Sequence, residues 1–264
     1  MTQKKVEPIT IQVPIQGNEL LRNSLTSINK NIEIVTLWKI INVNAIERLG
    51  MSDHGPVHFQ IVSNIAVKFV RMLVSKGIKM SVTKNFDLSG EYAELIVLLA
   101  SLFHDLGMSI NRKGHEEYSL FLANNLMHQI LGFLQPYEKT IVIAEVLHAI
   151  ISHRSDSHPI TIEAGIVRVA DALDMSKGRS RIPYESGIVD IYSVSAAAIE
   201  NVEIVKGQIK PIHINVTMNN SAGLFQLDEL LKRKINGSGI EKYISVRAFI
   251  DQKNEKKLLK EYLI

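Results

Sequence analysis

The stretch that most constrains this chain is Leu98-Leu99-Ala100-Ser101-Leu102-Phe103-His104-Asp105-Leu106-Gly107, an apolar run that ends in an imidazole beside a carboxylate. From Glu91 to Leu106, Tyr92, Leu95, Ile96, Leu98, Leu99, Leu102, Phe103 and Leu106 cover most of a helix circumference, which predicts a central, buried helix. Gly107 is expected to stop it. An ionised carboxylate in so apolar a setting needs a cation, a metal or a proton. A neutral His and a carboxylate are both good ligands for a divalent ion, so His104 and Asp105 are candidate ligands. The plainer alternative has His104 donating to a backbone carbonyl while Asp105 caps the next turn.

The distribution of histidine favours the metal. Eight of the nine histidines fall between His54 and His158, whereas scattered core histidines would not cluster. With no cysteine in the chain, disulfides and thiolate zinc sites are excluded, and any ion must be held by nitrogen and oxygen. A net charge of +3 does not by itself indicate nucleic acid, which would need basic residues gathered on one face. No apolar run approaches the length of a membrane span and no signal peptide is recognisable, so a cytoplasmic protein with no membrane partner is expected.

The 264 residues suffice for one large core or two unequal domains. Ile9, Ile11, Val13 and Ile15 alternate around Pro14, which suggests an extended arm or edge strand that pairs with the C-terminal part or another subunit. Asn18 to Glu47 reads as helical with a break at Asn29-Lys30-Asn31. After Gly55-Pro56, the segment from Val57 to about Ser75 is a helix with His58 on its inward stripe, in register with Ile61 and Ile65. Residues 77–90 are a connection. His115 opens another helix, with His128 near its outer end. Glu138 to Ile151 is a further buried helix that carries His148 and leads to His153. A helix from Thr161 holds Ile166, Val167, Val169 and Ala170, then Asp171, for which the alternative role is an ion pair with Arg168 three residues before it.

Beyond Pro183 the pattern changes to strands at Val202 to Val205, Ile209 to Met218 and Tyr243 to Ile250, with a helix over Leu224 to Ile235 and a charged helix after Asp251. The expected organisation is mainly α: an extended arm at 1–17, a helical domain at 18–185 and a small α+β domain at 186–264.

The order His58-x-x-x-Val62-x-x-x-Ala66, then Leu-Phe-His104-Asp105-Leu-Gly, then Val169-Ala-Asp171, resembles the HD-domain superfamily of metal-dependent phosphohydrolases over about half the chain. The His-rich pattern is similar to an archaeal type without the Gly-Tyr-Pro motif, since Ser155-Asp156-Ser157-His158-Pro159 follows His153-Arg154. That departure puts a cyclic-dinucleotide substrate in doubt. The resemblance implies an HD-type helical bundle in which His58, His104, Asp105 and Asp171 hold a first ion. In members with extra histidines, groups matching His115 and His153 hold a second, with Asp105 bridging.

His148 and His153 stand about 140° apart on an ideal helix and cannot both reach one centre unless the helix ends between them. His153 is preferred as the ligand and His148 as its neighbour or a substrate contact; His54 is a further group that could face the cleft. On this reading Asp105, His115 and His148 are the catalytic candidates. Mixed imidazole and carboxylate ligands favour one or two ions of Mn, Fe, Co, Ni or Zn over Mg. Arg112, Lys113, Arg154, Lys177, Arg179 and Arg181 are candidates to bind substrate phosphate, against the alternative of a solvated basic surface.

The expected activity is hydrolysis of a phosphate ester of a nucleotide or related small molecule by a metal-activated hydroxide, in a homo-oligomer. The alternatives are a di-iron oxygenase built on the same ligands, and a nucleotide-sensing or interaction module that does not turn over.

Overall fold

The computed structural model describes residues 10–154, 156–175, 191–250 and 261–263. Its N-terminal part is a helical bundle. Asn18 starts α1 (Glu19–Lys30), its side chain accepting from the N–H groups of Leu20 and Leu21. Asn31 ends α1 and caps α2 (Ile32–Asn42) through the N–H of Ile34, so the expected break is a shared cap. A π-helical turn, Val43–Arg48, follows α2. Pro56 occupies the first turn of α3 (Pro56–Val74), where its missing N–H costs nothing. The expected connection at 77–90 contains a short helix, α4 (Ser81–Phe86), whose first N–H groups, at Ser81 and Val82, donate to the buried Glu163 carboxylate at 3.1 and 3.0 Å.

The central helix is α5 (Gly90–Phe103), followed by a 3-10 turn at Leu106–Ser109. Leu95 to Leu99 are completely buried, as are Leu102 and Phe103. Around α5 pack α3, α7 (Pro136–Ile151) and α8 (Ile162–Ala172), with α6 (His115–Ile130) against the 3-10 turn. Trp38 of α2 stacks near Phe59 with ring centroids 5.8 Å apart and donates its indole N–H to the Leu102 carbonyl. Two segments, Pro56–Val74 and Gly90–Ser109, are long and apolar enough to cross a membrane by length and composition alone. Both lie in the core of the bundle, the second more deeply than the first.

The expected arm is extended but does not act as an edge strand. Described from Thr10, it pairs with no strand. Ile11 and Val13 are buried in the helical core instead. Its main-chain groups are met by side-chain amides: Ile11 N–H donates to Asn29 Oδ1, the Asn29 amide donates to the Ile11 carbonyl, and Gln60 makes the equivalent pair with Gln12. These amides satisfy the extended backbone as a neighbouring strand would.

After α9 (Ile191–Ala197) the chain forms a sheet in the order β1-β2-β3-β4. Strand β1 (Ile199–Lys206) runs antiparallel to β2 (Ile212–Met218), and β2 runs parallel to β3 (Ile244–Ile250). A parallel pair needs a crossover. It is supplied by α10, a continuous helical segment over 223–235 whose middle, Gln226–Lys232, is π-helical. Ile212, Ile214, Val216 and Met218 of β2 and Ile244, Val246, Ala248 and Ile250 of β3 form the buried face of the sheet. Leu227, Leu231 and Ile235 of α10 are buried as well. The charged helix expected after Asp251 falls mostly outside the described residues; Glu261–Leu263 is β4, antiparallel to β3. Pairing satisfies a β3 edge that would otherwise lie open. The expected boundary at 185/186 lies outside the described residues.

Candidate metal centre

The entry to α3 is fixed before its histidine is. Asp53 Oδ1 accepts from the N–H groups of Gly55 and His58, and Asp53 Oδ2 accepts from the Asn42 amide. His58 therefore points inward one turn into the helix, 1% exposed. Its Nδ1 lies 2.6 Å from Asp174 Oδ2, leaving Nε2 to face His104 Nε2 at 3.2 Å. His104 caps α5 and turns its own Nδ1 to the Ser101 carbonyl at 2.9 Å. Asp171 of α8 brings Oδ1 to 3.4 Å from His58 Nε2 and 3.7 Å from His104 Nε2.

Asp105 stands between this group and a second one. Its Oδ2 is 3.5 Å from His104 Nε2 and 3.9 Å from His58 Nε2, and its Oδ1 is 2.9 Å from His115 Nε2 and 3.9 Å from His153 Nε2. His153 turns its Nδ1 to the Ile150 carbonyl at 2.6 Å. His115 Nδ1 lies 2.9 Å from the Arg112 carbonyl and 3.0 Å from Arg112 Nη1. Among the described residues, three sets have ligand atoms within 4.8 Å of one another: His58, His104 and Asp171; His104, Asp105 and His153; His115, Glu116 and His153.

Gly107 is what lets α6 deliver His115. Its φ is not positive, and α5 ends at Phe103, ahead of it. A Cβ there would sit 2.0 Å from the His115 carbonyl oxygen and 2.8 Å from the Ser119 nitrogen. Close approach, not helix termination, demands the glycine. Ser119 Oγ then accepts from the Gly107 N–H and donates to the His104 carbonyl, fastening α6 to the end of α5.

Burial is the largest single influence on each of these groups, but at three of them their neighbours together reverse it. It lowers the basicity of His104 against the pull of Asp105 and Asp171. His153 is brought down to about 3 by burial, aided by His104 and Lys234. Burial also disfavours the charged form of both aspartates. It is outweighed at Asp105 by His104, His115 and His54, and at Asp171 by Lys234 and the histidines, so both carboxyls titrate well below the usual range. His115 alone of these rings is raised, burial being overcome by the Asp105 hydrogen bond and the nearby carboxylates.

The fit to a divalent ion can be tested on these hydrogen bonds. In His58, His104 and His153, Nδ1 faces an oxygen acceptor, so it carries the proton and Nε2 presents a lone pair. The three lone pairs converge on two ionised carboxylates, which are acceptors too. Such a set repels itself unless a cation lies among its members, and nitrogen with oxygen suits a transition ion. The residues fit.

The HD domain family matches residues 62–176, a span that holds all of these ligand candidates except His58. An uncharacterized protein of Methanocaldococcus jannaschii is 44% identical over 236 residues, covering 89% of this chain and 90% of that relative. The chain belongs to the HD-domain superfamily. HD domains are metal-dependent phosphohydrolases, and the clustered His and Asp residues accord with divalent metal binding. Ribonuclease Y of Onion yellows phytoplasma is 25% identical over 152 residues, 52% of this chain but 26% of that enzyme, so the chain spans about a quarter of its length. No solved structure matches the chain.

His58, just ahead of the span that the HD family matches, comes together with His104, Asp105, His115, His153 and Asp171 inside it. His148 does not join them: its Nε2 accepts from the Ile160 N–H at 3.1 Å and its ring lies against Ser152 Oγ, so it braces the loop after α7. His54 is buried beside His58, ring centroids 5.8 Å apart, with Nδ1 on the Ser52 carbonyl at 2.7 Å. Arg112 and Lys113 are exposed at the start of α6. Arg154 is held by Glu116 at 2.8 Å. Lys177, Arg179 and Arg181 lie outside the described residues. Asp171 takes its ion pair from Lys234 at 3.0 Å, where sequence offered Arg168.

Three groups escaped the sequence reading of the site. Asp174 left a trace, being three residues from Asp171. Glu116 adjoins His115. Lys234 left none, because only the fold brings α10 to α8.

Proposed function

We propose that the chain hydrolyses a phosphate ester of a nucleotide or a related small phosphorylated molecule. The observation that carries this reading is the convergence of Nε2 lone pairs, each fixed by a hydrogen bond at Nδ1, on two carboxylates of depressed pKa. His58, His104 and Asp171 would hold one ion, and His115 and His153 a second, with Asp105 facing both groups through different oxygens. Glu116 offers a further oxygen beside His115. Bound ions of Mn, Fe, Co, Ni or Zn supply Lewis acidity toward water and phosphate oxygen. Arg112, beside His115, and the exposed Lys113 that follows it would bring positive charge to the substrate phosphate. In the metal-free chain the Asp105 hydrogen bond raises the basicity of His115, and a bound ion would take the place of the proton at its Nε2.

The test is phosphate release by the metal-stripped chain reloaded with each ion in turn, across nucleoside monophosphates, cyclic nucleotides and short RNA. RNA is included because Ribonuclease Y, a nuclease by name, shares similarity over part of the chain. Activity should require a transition ion and vanish in Asp105→Ala with the fold retained. Full activity of that variant at saturating metal would refute the site.

A further inference from the structure

One charged group reaches the centre from outside the helical bundle. Lys234 lies near the end of α10, in the crossover between β2 and β3, yet its ammonium is 3.0 Å from Asp171 Oδ2 and 2.5 Å from the His153 carbonyl oxygen. These partners belong to two different ligand groups, Asp171 with His58 and His104, His153 with His104 and Asp105. One ammonium therefore braces both halves of the centre. A lysine side chain has many rotamers to lose, so it holds such a place only when its backbone is held too.

That support is visible. Arg168, buried on the same helix as Asp171, donates from Nε to the Lys234 carbonyl at 2.9 Å and from Nη2 to the carbonyls of Arg233 and Asn236 at 3.1 and 3.3 Å. Its Nη1 donates to the carbonyls of Ser157, at 2.6 Å, and Arg154 in the loop that follows His153. One turn earlier, Gly165 has no Cβ, which would stand 2.1 Å from the Ser238 carbonyl oxygen. Helix α8 thus grips the backbone on both sides of Lys234 and also bears the carboxylate that Lys234 meets.

We infer that Lys234 is a positioning residue of the metal centre, supplied by the C-terminal α+β region. A carboxylate free to rotate could offer either oxygen, or both, to one ion. With Oδ2 taken by Lys234, Asp171 presents Oδ1 to His58 and His104, and the same ammonium fixes the peptide from which His153 reaches its own group. The α+β region is on this account part of the centre. The inference rests on the metal-centre reading above.

The experiment is calorimetric titration of Mn2+ into the metal-stripped full chain and its Lys234→Met and Lys234→Arg variants, with circular dichroism and thermal melting of each metal-free protein. Loss of a group that orients a ligand weakens metal binding about ten- to a hundredfold. Lys234→Met should show that loss while melting within a few degrees of the parent, and Lys234→Arg, which keeps the charge and the donors, should recover most of it. A Lys234→Met protein that binds Mn2+ as tightly as the parent, or more tightly, overturns the inference. Should that variant fail to fold, Lys234→Gln, which keeps one donor without the charge, takes its place under the same criterion. A parent that binds no Mn2+ overturns the metal-centre reading and this inference with it, so the parent's own titration tells the two failures apart.

Discussion

Asp174 touches no substrate on the proposed reading, yet its removal should loosen the first ligand group. The carboxylate accepts from His58 Nδ1 at 2.6 Å, with the His58 side chain fully buried and that of Asp174 4% exposed. A hydrogen bond to a charged group is worth about 1.5–3 kcal/mol, and this one fixes which nitrogen carries the proton. In Asp174→Ala the proton is free to move to Nε2, the atom that faces His104 Nε2 at 3.2 Å. A ring protonated there cannot ligate. The expected weakening of metal binding is about ten- to a hundredfold, or about 1.4–2.7 kcal/mol. Asp174→Asn, whose amide oxygen can still accept from Nδ1, should lose about tenfold at most. Titration of Mn2+ into the metal-stripped proteins measures both. Equal affinity of Asp174→Ala and the parent would show that the tautomer of His58 is fixed by something else.

Gly107→Ala should cost about 3 kcal/mol in urea unfolding, at the upper end of overpacking costs, because the new Cβ meets main-chain atoms of α6; a loss under about 1 kcal/mol would mean that α6 yields freely. Glu163→Ala removes the acceptor for two N–H groups at the start of α4, with an expected loss of about 3 kcal/mol and early amide exchange at Ser81 and Val82; unchanged exchange there would refute the capping role. The metal-free protein should lose stability as pH falls. His153, near 3 when folded against 6.5 when unfolded, contributes stability that is complete above pH 6.5 and lost below it, about 2 kcal/mol by pH 5. His104 acts in the same direction, whereas His115, raised on folding, contributes below pH 6.5 and loses that contribution as pH rises. A melting temperature that rises between pH 7 and pH 5 would contradict the burial of neutral His104 and His153.

Local chemistry made much of this protein readable from its sequence. The apolar circumference of α5 required burial, and a His-Asp pair at its end then required a partner. The 3.6-residue period placed His58 inward on α3, and the strict alternation in β2 announced a sheet covered on one face. Asn31 as a break and Pro56 as a start were legible because caps act within a few residues.

What sequence could not decide were the approaches between distant segments. Gly107 reads as a helix stop until α6 is seen pressed against it. His148 and His153 are equivalent by composition; the end of α7 at Ile151 turns one into the centre and leaves the other to the loop. Arg168 stood at the right spacing for Asp171, but its guanidinium is drawn off by the carbonyls at the end of α10, and Lys234, 63 residues away, takes the carboxylate instead. Side-chain period reports which face of a helix is buried, while the partner of a buried charge is set by whichever opposite charge the packing of separate elements brings within about 4 Å, a distance that no local pattern encodes.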